Sequence, residues 1–280
     1  MLDSRPRCGK KHVTVYKGYV MSNAIGRLIR RTAVMLPRSR PSPNGKDSKL
    51  DHHPAAPRHL VIIPDGNRRW AKARGVPAFE GHRKGARVVE DLVWRCRDAG
   101  VKVLTLWGFS TENWGRDEDE IEYLMELFVK FLTSVEGDMR SEQVQFRHLG
   151  RKDRLPAELL TVIERLEKET ADHTNYYLNV CIDYGGRDEI LRAVKRALNA
   201  GVTAEELDEE NLEEYLDTGG LPDPDLIIRT SGEYRLSGIL PFQSVYSELA
   251  FVPLHLPDMT KEVLEEIFDE YAQRRRRYGK

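Results

Sequence analysis

Apolar and polar residues alternate with two different periods from His59 onward, and these periods predict strands followed by helices. Short apolar runs predict strands, whereas apolar residues three and four positions apart predict amphipathic helices. The predicted strands are 60–63, 103–106, 144–149, 177–182 and 226–228. The predicted helices are 85–99, a helix that begins near Asp117, 157–170, 188–198 and 261–276. This alternation indicates one α/β domain over residues 59–280, with a mostly parallel central β-sheet flanked by helices.

The first 58 residues have a different composition. Residues 37–57 are rich in proline, serine and charge, which predicts a disordered linker. Residues 1–58 carry 13 Lys or Arg and three Asp or Glu, so this basic tail has a net charge of +10 and the rest of the chain −11. A short basic amphipathic segment near residues 24–31 is typical either of a membrane-surface or targeting segment or of a dispensable tail. Its shortness favours the dispensable tail.

Composition excludes several classes of function. Because the excess of basic charge is confined to the tail, we expect no nucleic-acid partner. No apolar run approaches the roughly 18 residues that span a bilayer, and the first thirty residues contain no secretory signal. The three cysteines are far apart and form no CxxC pair, which favours a reducing compartment. We therefore expect a cytoplasmic protein.

The first predicted strand runs into the segment PDGNRRW, residues 64–70. Gly66 allows a sharp turn, backbone N–H groups entering a helix suit an anion, and Arg68 and Arg69 suit phosphate oxygens. Asp65 is a carboxylate where an anion should bind. A Mg²⁺ ion bridging Asp65 and a diphosphate would resolve this conflict. The alternative is that Asp65 only caps the helix.

Two further strand ends carry polar residues. Arg229 and Arg235 flank hydroxyls and a glycine after residues 226–228, which suits phosphate, although a solvated loop with ion-paired arginines is an equal alternative. Residues 107–116, WGFSTENWGR, follow another strand and are typical of a loop that covers substrate. A surface turn with packed tryptophans is the alternative there. The acidic run 117–120 indicates a solvated helix start.

Five segments in this order resemble the cis-prenyltransferase family, whose bacterial archetype is undecaprenyl diphosphate synthase. They are HLVIIPDGNRRWAK, EGHRKGA, LTLWGFSTENW, DYGGRDEI and DLIIRTSGEYRLS…FQSVYSE. The resemblance covers about 220 residues from His59 to Gly279. No adjacent Asp-Asp pair occurs, which excludes the aspartate-rich metal motif of trans-type prenyl synthases.

The resemblance implies an isoprenyl transferase that condenses an allylic diphosphate, with farnesyl diphosphate as the expected primer, with isopentenyl diphosphate and adds cis units. It implies Asp65 and Asn113 as catalytic residues, and Mg²⁺ held by Asp65 and by Glu248 from across or near a homodimer interface. The implied substrate-binding residues are Gly66, Asn67, Arg68, Arg69, Trp70, His82, Ser110, Arg116, Arg229, Arg235 and Ser237. Of these, Arg229, Arg235 and Ser237 would bind isopentenyl diphosphate. Such an enzyme would be cytoplasmic, with peripheral membrane association through its product.

The chain departs from the family pattern at several positions. Ala78 stands where the family usually has a diphosphate-binding arginine, and Asp183 stands in place of asparagine. Residues 238–242, GILPF, replace a more typical NFLLW beside the isopentenyl site. These changes leave two alternatives open. One is a family member with short or irregular products, and the other is a non-catalytic partner subunit, which the charged residues at the site argue against.

Overall fold

Six parallel strands form one sheet in the computed structural model, which describes residues 52–274. Their order across the sheet is β3-β4-β2-β1-β5-β6. The strands are β1 (His59–Ile63), β2 (Val103–Ser110), β3 (Val144–Leu149), β4 (Tyr176–Tyr184), β5 (Leu226–Arg229) and β6 (Glu248–Phe251). β1 therefore lies in the interior of the sheet, between β2 and β5.

Seven α-helices connect and flank the strands in the described part of the chain. They are α1 (Asn67–Ala73), α2 (Ala78–Asp98), α3 (Glu118–Ser141), α4 (Ala157–Glu169), α5 (Gly186–Asn199), α6 (Glu209–Tyr215) and α7 (Lys261–Ala272). Two 3₁₀ segments lie at Thr111–Gly115 and Leu256–Asp258. None of the helices within residues 52–274 combines the length and apolar composition needed to cross a membrane.

Burial of the inner strands explains their sequences. All five residues of β1 and all four of β5 are buried, as expected for parallel strands covered on both faces, and this is why they read as continuous apolar runs. β4 is buried at eight of its nine residues and β3 at four of its six. The predicted α/β domain with a helix-flanked parallel sheet is thus confirmed.

The structure differs from the prediction at four elements, β2, β6, α6 and α7. β2 continues through residues 107–110, which we expected in a covering loop, because these residues pair with β4 through a register irregularity. The edge strand β6 has only one fully buried residue, and α6 has none, so neither carries a strong apolar period. α7 ends at Ala272, short of the predicted 276, and residues 275–276 lie outside the described residues.

Residues 52–58, which the prediction assigned to the tail, contact the α/β domain. The backbone N–H of His53 donates to Ala99 O (2.9 Å), and the carbonyl of Arg58 accepts from the N–H groups of Lys102 and Val103 (2.9 Å each). The His53 ring lies 3.4 Å from the Asp269 carboxylate. The remainder of the predicted tail, with its linker and amphipathic segment, lies outside the described residues.

Candidate active site

The carboxyl ends of β1 and β5 lie side by side, since Ile63 pairs with Arg229 in the parallel register. The strand order reverses at this point, and α/β sheets bind ligands in the crevice outside such a reversal. The Asp65 N–H donates to the Thr230 hydroxyl (2.8 Å), and this hydroxyl donates back to Asp65 O (2.7 Å). Leu256 N–H also donates to Asp65 O (3.0 Å). The loops that follow β1 and β5 are therefore joined at Asp65.

The Asp65 carboxylate bridges two guanidinium groups. Arg229 donates to one oxygen (3.0 Å), and Arg69 lies 3.0 Å from the other. Burial raises the pKa of the Asp65 carboxyl, but the hydrogen bonds from Arg229 and Arg69 outweigh it and hold this pKa below its usual value. The alternative that Asp65 caps a helix is wrong, because the N-cap of α1 is Gly66. Asp65 is thus an ionised carboxylate shared by the two loops.

Gly66 turns the chain from β1 into α1. Its φ of 101° lies in the left-handed region, which favours glycine. A side chain would also collide, because a Cβ atom here would lie against Ser231 Oγ and 2.6 Å from His255 Nδ1. Those two atoms are themselves 2.5 Å apart and share a hydrogen bond. The sharp turn expected at Gly66 is therefore present and tightly packed.

The arginines of the two loops meet on a second carboxylate, Glu233. Arg229 is buried, and its guanidinium donates to Arg235 O and to the Ser237 hydroxyl (2.8 Å). Arg69 donates to Glu233 (2.5 Å), and Glu233 also pairs with Arg235. The predicted residues Arg69, Arg229, Arg235 and Ser237 are thus brought together. Positive and negative groups alternate along this chain of contacts from Arg229 through Asp65, Arg69 and Glu233 to Arg235.

Three other predicted substrate residues gather around Glu120. Its carboxylate lies 3.0 Å from Arg116, 3.4 Å from His82 and 3.7 Å from Arg68. Burial lowers the pKa of His82, although the Glu120 charge opposes this. The expectation of a solvated helix start holds for the beginning of α3 but is wrong for Glu120, whose side chain is 13 % exposed. Adjacent residues of α1, Arg68 and Arg69, connect this group to the Asp65 group.

Sequence reasoning missed Glu120 and Glu233 as members of these charged groups. The four-residue spacing from Arg116 to Glu120 within a predicted helix start was an available signal, because such residues face each other on a helix. Glu233 stands between Arg229 and Arg235 in the loop after β5, but its contact with Arg69 joins residues 164 positions apart. No local pattern indicates that contact.

Ser110 and Asn113 hold the 3₁₀ segment in a reciprocal capping box. Asn113 Oδ1 accepts from Ser110 N–H (3.1 Å), and the Ser110 side chain accepts from Asn113 N–H. The Trp70 indole N–H donates to Asp258 (2.8 Å), and the Arg74 guanidinium lies 4.2 Å from the Trp70 ring centroid. Ser110 and Asn113 therefore contact each other, and Trp70 contacts Asp258 and Arg74.

Glu248 is not brought to Asp65 within one chain. It begins β6, pairs in register with Leu226, and its carboxylate lies 3.3 Å from Arg274. Glu248 is level with Leu226, and Arg229 lies three residues further along β5. Glu248 is therefore about 10 Å from the level of Arg229 along the strand direction. Among the described residues, no three His, Cys, Asp or Glu side chains form a metal-binding group. A metal ion at Asp65 would therefore need ligands from substrate or from a second chain.

Asp183 explains one departure from the family pattern. It is the penultimate residue of β4, with a φ of 54°, is completely buried, and accepts hydrogen bonds from the Trp114 indole (2.9 Å) and from Arg154 Nε (2.8 Å). The Arg154 guanidinium also lies 5.6 Å from the Trp114 ring centroid. A buried carboxylate is tolerated when it is paired and hydrogen-bonded. Asp183 thus holds Trp114, and with it the 3₁₀ segment that carries Asn113.

The departures at 238–242 lie within the segment that connects β5 to β6. Ile239 and Leu240 are completely buried and belong to the core cluster that includes Ile63 of β1. The Gly238 carbonyl accepts from Gly186 N–H (2.9 Å), which joins this segment to the start of α5. Ala78, the other departure, is the exposed first residue of α2.

Several buried polar atoms of the predicted site lack a hydrogen-bond partner among residues 52–274. They are Asn67 Oδ1, His82 Nε2 and Arg229 Nε. Buried polar groups in proteins are nearly always paired, so each orphan calls for an explanation. The Nε of Arg229 is a donor and is suited to an anionic ligand, whereas His82 Nε2 lies 3.4 Å from the Glu120 carboxylate. The Asn67 side chain instead packs against Gly85, where a Cβ atom would approach Asn67 Oδ1.

Comparisons with known proteins agree on one family. Residues 63–279 match the family model described as putative undecaprenyl diphosphate synthase. The chain is 45 % identical over 224 residues to an isoprenyl transferase of Aquifex aeolicus, covering 80 % of this chain and 96 % of that protein. It is 41 % identical over 244 residues to an isoprenyl transferase of Bacillus anthracis, covering 84 % and 95 %.

Solved structures give the same result. A lavandulyl diphosphate synthase from Lavandula x intermedia, in complex with dimethylallyl diphosphate, superposes with a TM-score of 0.77 at 34 % identity, covering 81 % of this chain and 99 % of that one. A probable undecaprenyl diphosphate synthase from Campylobacter jejuni gives 0.68 at 32 % identity, covering 80 % and 99 %. The chain is therefore a prenyltransferase that belongs to the undecaprenyl diphosphate synthase (cis-prenyltransferase) family.

Proposed function

We propose that this protein condenses farnesyl diphosphate, or another allylic diphosphate, with isopentenyl diphosphate to form a cis-polyprenyl diphosphate and release diphosphate. The observation that carries the proposal is the pairing of Asp65 with Arg69 of α1 and with Arg229, the last residue of β5. Two arginine-bearing loops that meet on one ionised carboxylate can hold two diphosphates side by side. The isoprenyl transferases that the chain resembles support this substrate class.

The loop after β1 is assigned to the allylic diphosphate. Gly66, Asn67, Arg68 and Arg69 lie on this loop and on α1, and His82 of α2 approaches through Glu120. The loop after β5 is assigned to isopentenyl diphosphate, with Arg229, Arg235 and Ser237 as its ligands. The unpartnered buried Nε of Arg229 supports the second assignment, because it has a hydrogen bond to give.

Asp65 is suited to Mg²⁺. The ion typically uses one or two carboxylates together with substrate phosphates, so an ionised Asp65 beside diphosphate-binding arginines fits it. Mg²⁺ would stabilise the negative charge of the departing diphosphate. The second proposed ligand, Glu248, would have to come from a second chain in a homodimer, since within one chain it pairs with Arg274.

The chemistry needs charge stabilisation and orientation more than acid–base catalysis. As the allylic C–O bond breaks, negative charge develops on the leaving diphosphate, so contacts from Arg69 strengthen in the transition state. The same bond breaking leaves an allylic cation, which the double bond of isopentenyl diphosphate attacks before a proton is lost. Asn113 and Arg116, on and beside the 3₁₀ segment, are proposed to orient the reacting groups, with Ser110 and Trp70 lining the pocket.

A second candidate is synthesis of a short or irregular prenyl diphosphate. Two observations favour it: the fold match to a lavandulyl diphosphate synthase that binds dimethylallyl diphosphate, and the altered segment 238–242 at the core under the β5 loop. The candidate of a non-catalytic partner subunit is disfavoured, since the paired Asp65, Arg69 and Arg229 are all retained.

A product assay tests the proposal. Purified protein is incubated with farnesyl diphosphate, labelled isopentenyl diphosphate and Mg²⁺, and the products are sized. We expect elongated chains, whereas product from dimethylallyl diphosphate alone supports the second candidate. Asp65→Asn should lower turnover by about a hundredfold or more, because a metal-assisted leaving-group role is worth several kcal/mol.

The matched control is Glu126→Gln, which neutralises an exposed carboxylate paired with Lys130 on α3 and should leave turnover unchanged. Circular dichroism checks that both variants fold. The assignment of Asp65 is wrong if Asp65→Asn keeps near-normal turnover, and the function is wrong if no combination of these substrates is consumed.

A further inference from the structure

Glu233 lies between the arginines of both loops. One carboxylate oxygen accepts from Arg69 (2.5 Å), and the other pairs with Arg235. Sequence reasoning assigned Arg69 to one diphosphate and Arg235 to the other, and gave Glu233 no role. Its contacts hold down the pKa of the Glu233 carboxyl, with the hydrogen bond from Arg235 as the largest cause and that from Arg69 next. Glu233 is therefore an ionised counter-ion shared between the two predicted sites.

A fixed backbone turn immediately before Glu233 sets the position of its carboxylate. Ser231 and Gly232, just before it, both have a left-handed φ, 82° and 67°. Ser231 N–H donates to Leu254 O (2.7 Å), and Gly232 N–H donates to Val252 O (2.9 Å), so the turn is fixed on the chain that follows β6. A non-glycine residue in this conformation is sparsely populated and is found where the surrounding structure enforces it. The turn thus aims Glu233 at Arg69.

Diphosphate oxygens need the same N–H groups that Glu233 occupies. A guanidinium has a fixed set of donors, and this carboxylate engages Nη1 of Arg69 and Nη1 of Arg235. An anion that binds between the two arginines at these nitrogens takes the place of Glu233 or meets its negative charge. The competition is direct, because carboxylate and phosphate use the same fork of donors.

Burial shows which carboxylate gives way. Arg69 and Arg235 are 44 % and 60 % exposed at their side chains, and ion pairs of this kind are individually weak. Arg229, which holds Asp65, is 6 % exposed, so separating that pair would leave a buried charge without a partner. Asp65 therefore stays in place when an anion arrives, and Glu233 leaves.

We propose that Glu233 is a displaceable counter-ion that holds Arg69 and Arg235 until a diphosphate replaces it. The inference rests on the proposed function only in that these arginines bind diphosphate. It assigns Glu233 a role opposite to that of a ligand-positioning residue. A positioning residue increases the affinity for substrate. A displaceable counter-ion lowers that affinity, because it pairs with Arg69 and Arg235 in the free protein.

Calorimetric titration of the full-length protein with inorganic diphosphate tests this inference. Glu233→Gln keeps the size of the side chain and removes its charge. We expect this variant to bind diphosphate about three- to tenfold more tightly than the wild type, the range that two exposed ion pairs supply. The matched control is Glu80→Gln, which neutralises another carboxylate that pairs with an exposed arginine, Arg83, at the start of α2. Its affinity should equal that of the wild type.

The possible results separate the two proposals. Wild-type protein that binds diphosphate, with Glu233→Gln binding equally or more weakly, overturns the counter-ion role and leaves the proposed function standing. An equal gain in Glu80→Gln also overturns it, because the gain would then reflect net charge alone. Wild-type protein that does not bind diphosphate at all overturns the proposed function, and the counter-ion role with it.

Discussion

Arg229 ends β5 and Arg235 lies six residues further on in the loop that follows, and the fold surrounds them differently. Arg229 is buried and bonded to Asp65 and Ser237, whereas the side chain of Arg235 is 60 % exposed. Burial decides whether losing a guanidinium costs stability or only ligand binding. Exposed substitutions usually change stability by less than about 0.5 kcal/mol, whereas removing a buried charge partner costs several times that amount.

Arg235→Ala should raise the KM for isopentenyl diphosphate by about tenfold or more without changing the free energy of unfolding, because it removes one charge-assisted contact at the surface. Arg229→Ala should lower the free energy of unfolding by about 2 kcal/mol as well, since Asp65 loses a hydrogen bond. Steady-state kinetics and urea titration measure the two effects. Equal stability losses in the two variants would contradict this prediction.

His59 gives a pH-dependent contribution to stability far from the charged site. Its ring is bonded to Pro222 O (2.7 Å) and to the Thr105 hydroxyl (2.9 Å), and the Asn179 amide donates to the same hydroxyl (2.9 Å). A neutral ring satisfies both contacts, because Nδ1–H donates to the Pro222 carbonyl and Nε2 accepts from the Thr105 hydroxyl. Burial lowers the pKa of His59 from 6.5 to about 4. The unfolded chain therefore takes up a proton before the folded one does.

Stability from His59 is accordingly present at pH 7 and is lost as the pH falls from about 6.5 towards 4. Between pH 7 and 4.5 this loss should amount to about 2.5 kcal/mol. His59→Gln should be less stable at pH 7 but should show a smaller decrease over that range. Urea titration at the two pH values measures the difference, and parallel decreases in both proteins would contradict the assignment.

At the scale of elements, α1 and α2 pack closely at Asn67. A Cβ atom on Gly81 would collide with the Asn67 carbonyl oxygen, and one on Gly85 would collide with the Asn67 side chain. Backbone cannot give way as a side-chain amide can. Gly137 of α3, by contrast, has open space around its missing Cβ.

Gly81→Ala should therefore lower the free energy of unfolding by about 1–3 kcal/mol and Gly85→Ala by less. Gly137→Ala, the matched control, should raise it by up to about 1 kcal/mol through helix propensity. Because α1 carries Arg68 and Arg69, Gly81→Ala should also weaken diphosphate binding. Thermal unfolding tests the predicted order of stability among the three variants, and diphosphate titration tests the loss of binding. A stabilising Gly81→Ala would contradict the packing argument.

Strong local periods made most elements predictable from sequence. The boundaries of β3 agree at both ends, and α3 begins one residue after Asp117 as expected. β6 could not be predicted, because it is an edge strand whose pairing with β5 supplies what its four residues lack in apolar pattern. The end of β2 was missed for a related reason, since pairing with β4 keeps Trp107 and Phe109 extended.

The charged segments of the candidate site are visible in the sequence, but the contacts between them are not. The two arginine-bearing loops were visible as local mixtures of charge, glycine and hydroxyl residues. The partners that hold them, Glu233 for Arg69 and Glu120 for His82, depend on which strands become neighbours, and no local pattern specifies this. Glu248 shows the opposite case, because a residue assigned through family resemblance lies away from Asp65 within one chain.

At the scale of the whole molecule, the contacts of residues 52–58 allow the domain boundary to be tested. A protein lacking residues 1–51 keeps the hydrogen bonds made by His53 and Arg58. It should match the full chain in thermal stability and in activity. A protein lacking residues 1–58 should lose about 2 kcal/mol, since the carbonyl of Ala99 and the N–H groups of Lys102 and Val103 lose their partners. Equal stability of the two truncated proteins would place the boundary at residue 58.

The register of β1 with β5 has a consequence for the distance between substrates. Both arginine-bearing loops leave the sheet from hydrogen-bonded neighbouring strands, whose axes lie about 4.8 Å apart. The separation between the two proposed diphosphate sites thus follows the interstrand spacing, which changes little in any folded sheet. Changes elsewhere in the chain can then alter the product while the proposed diphosphate sites stay at a fixed distance. The same pair of neighbouring strands can in this way be used by enzymes with different products.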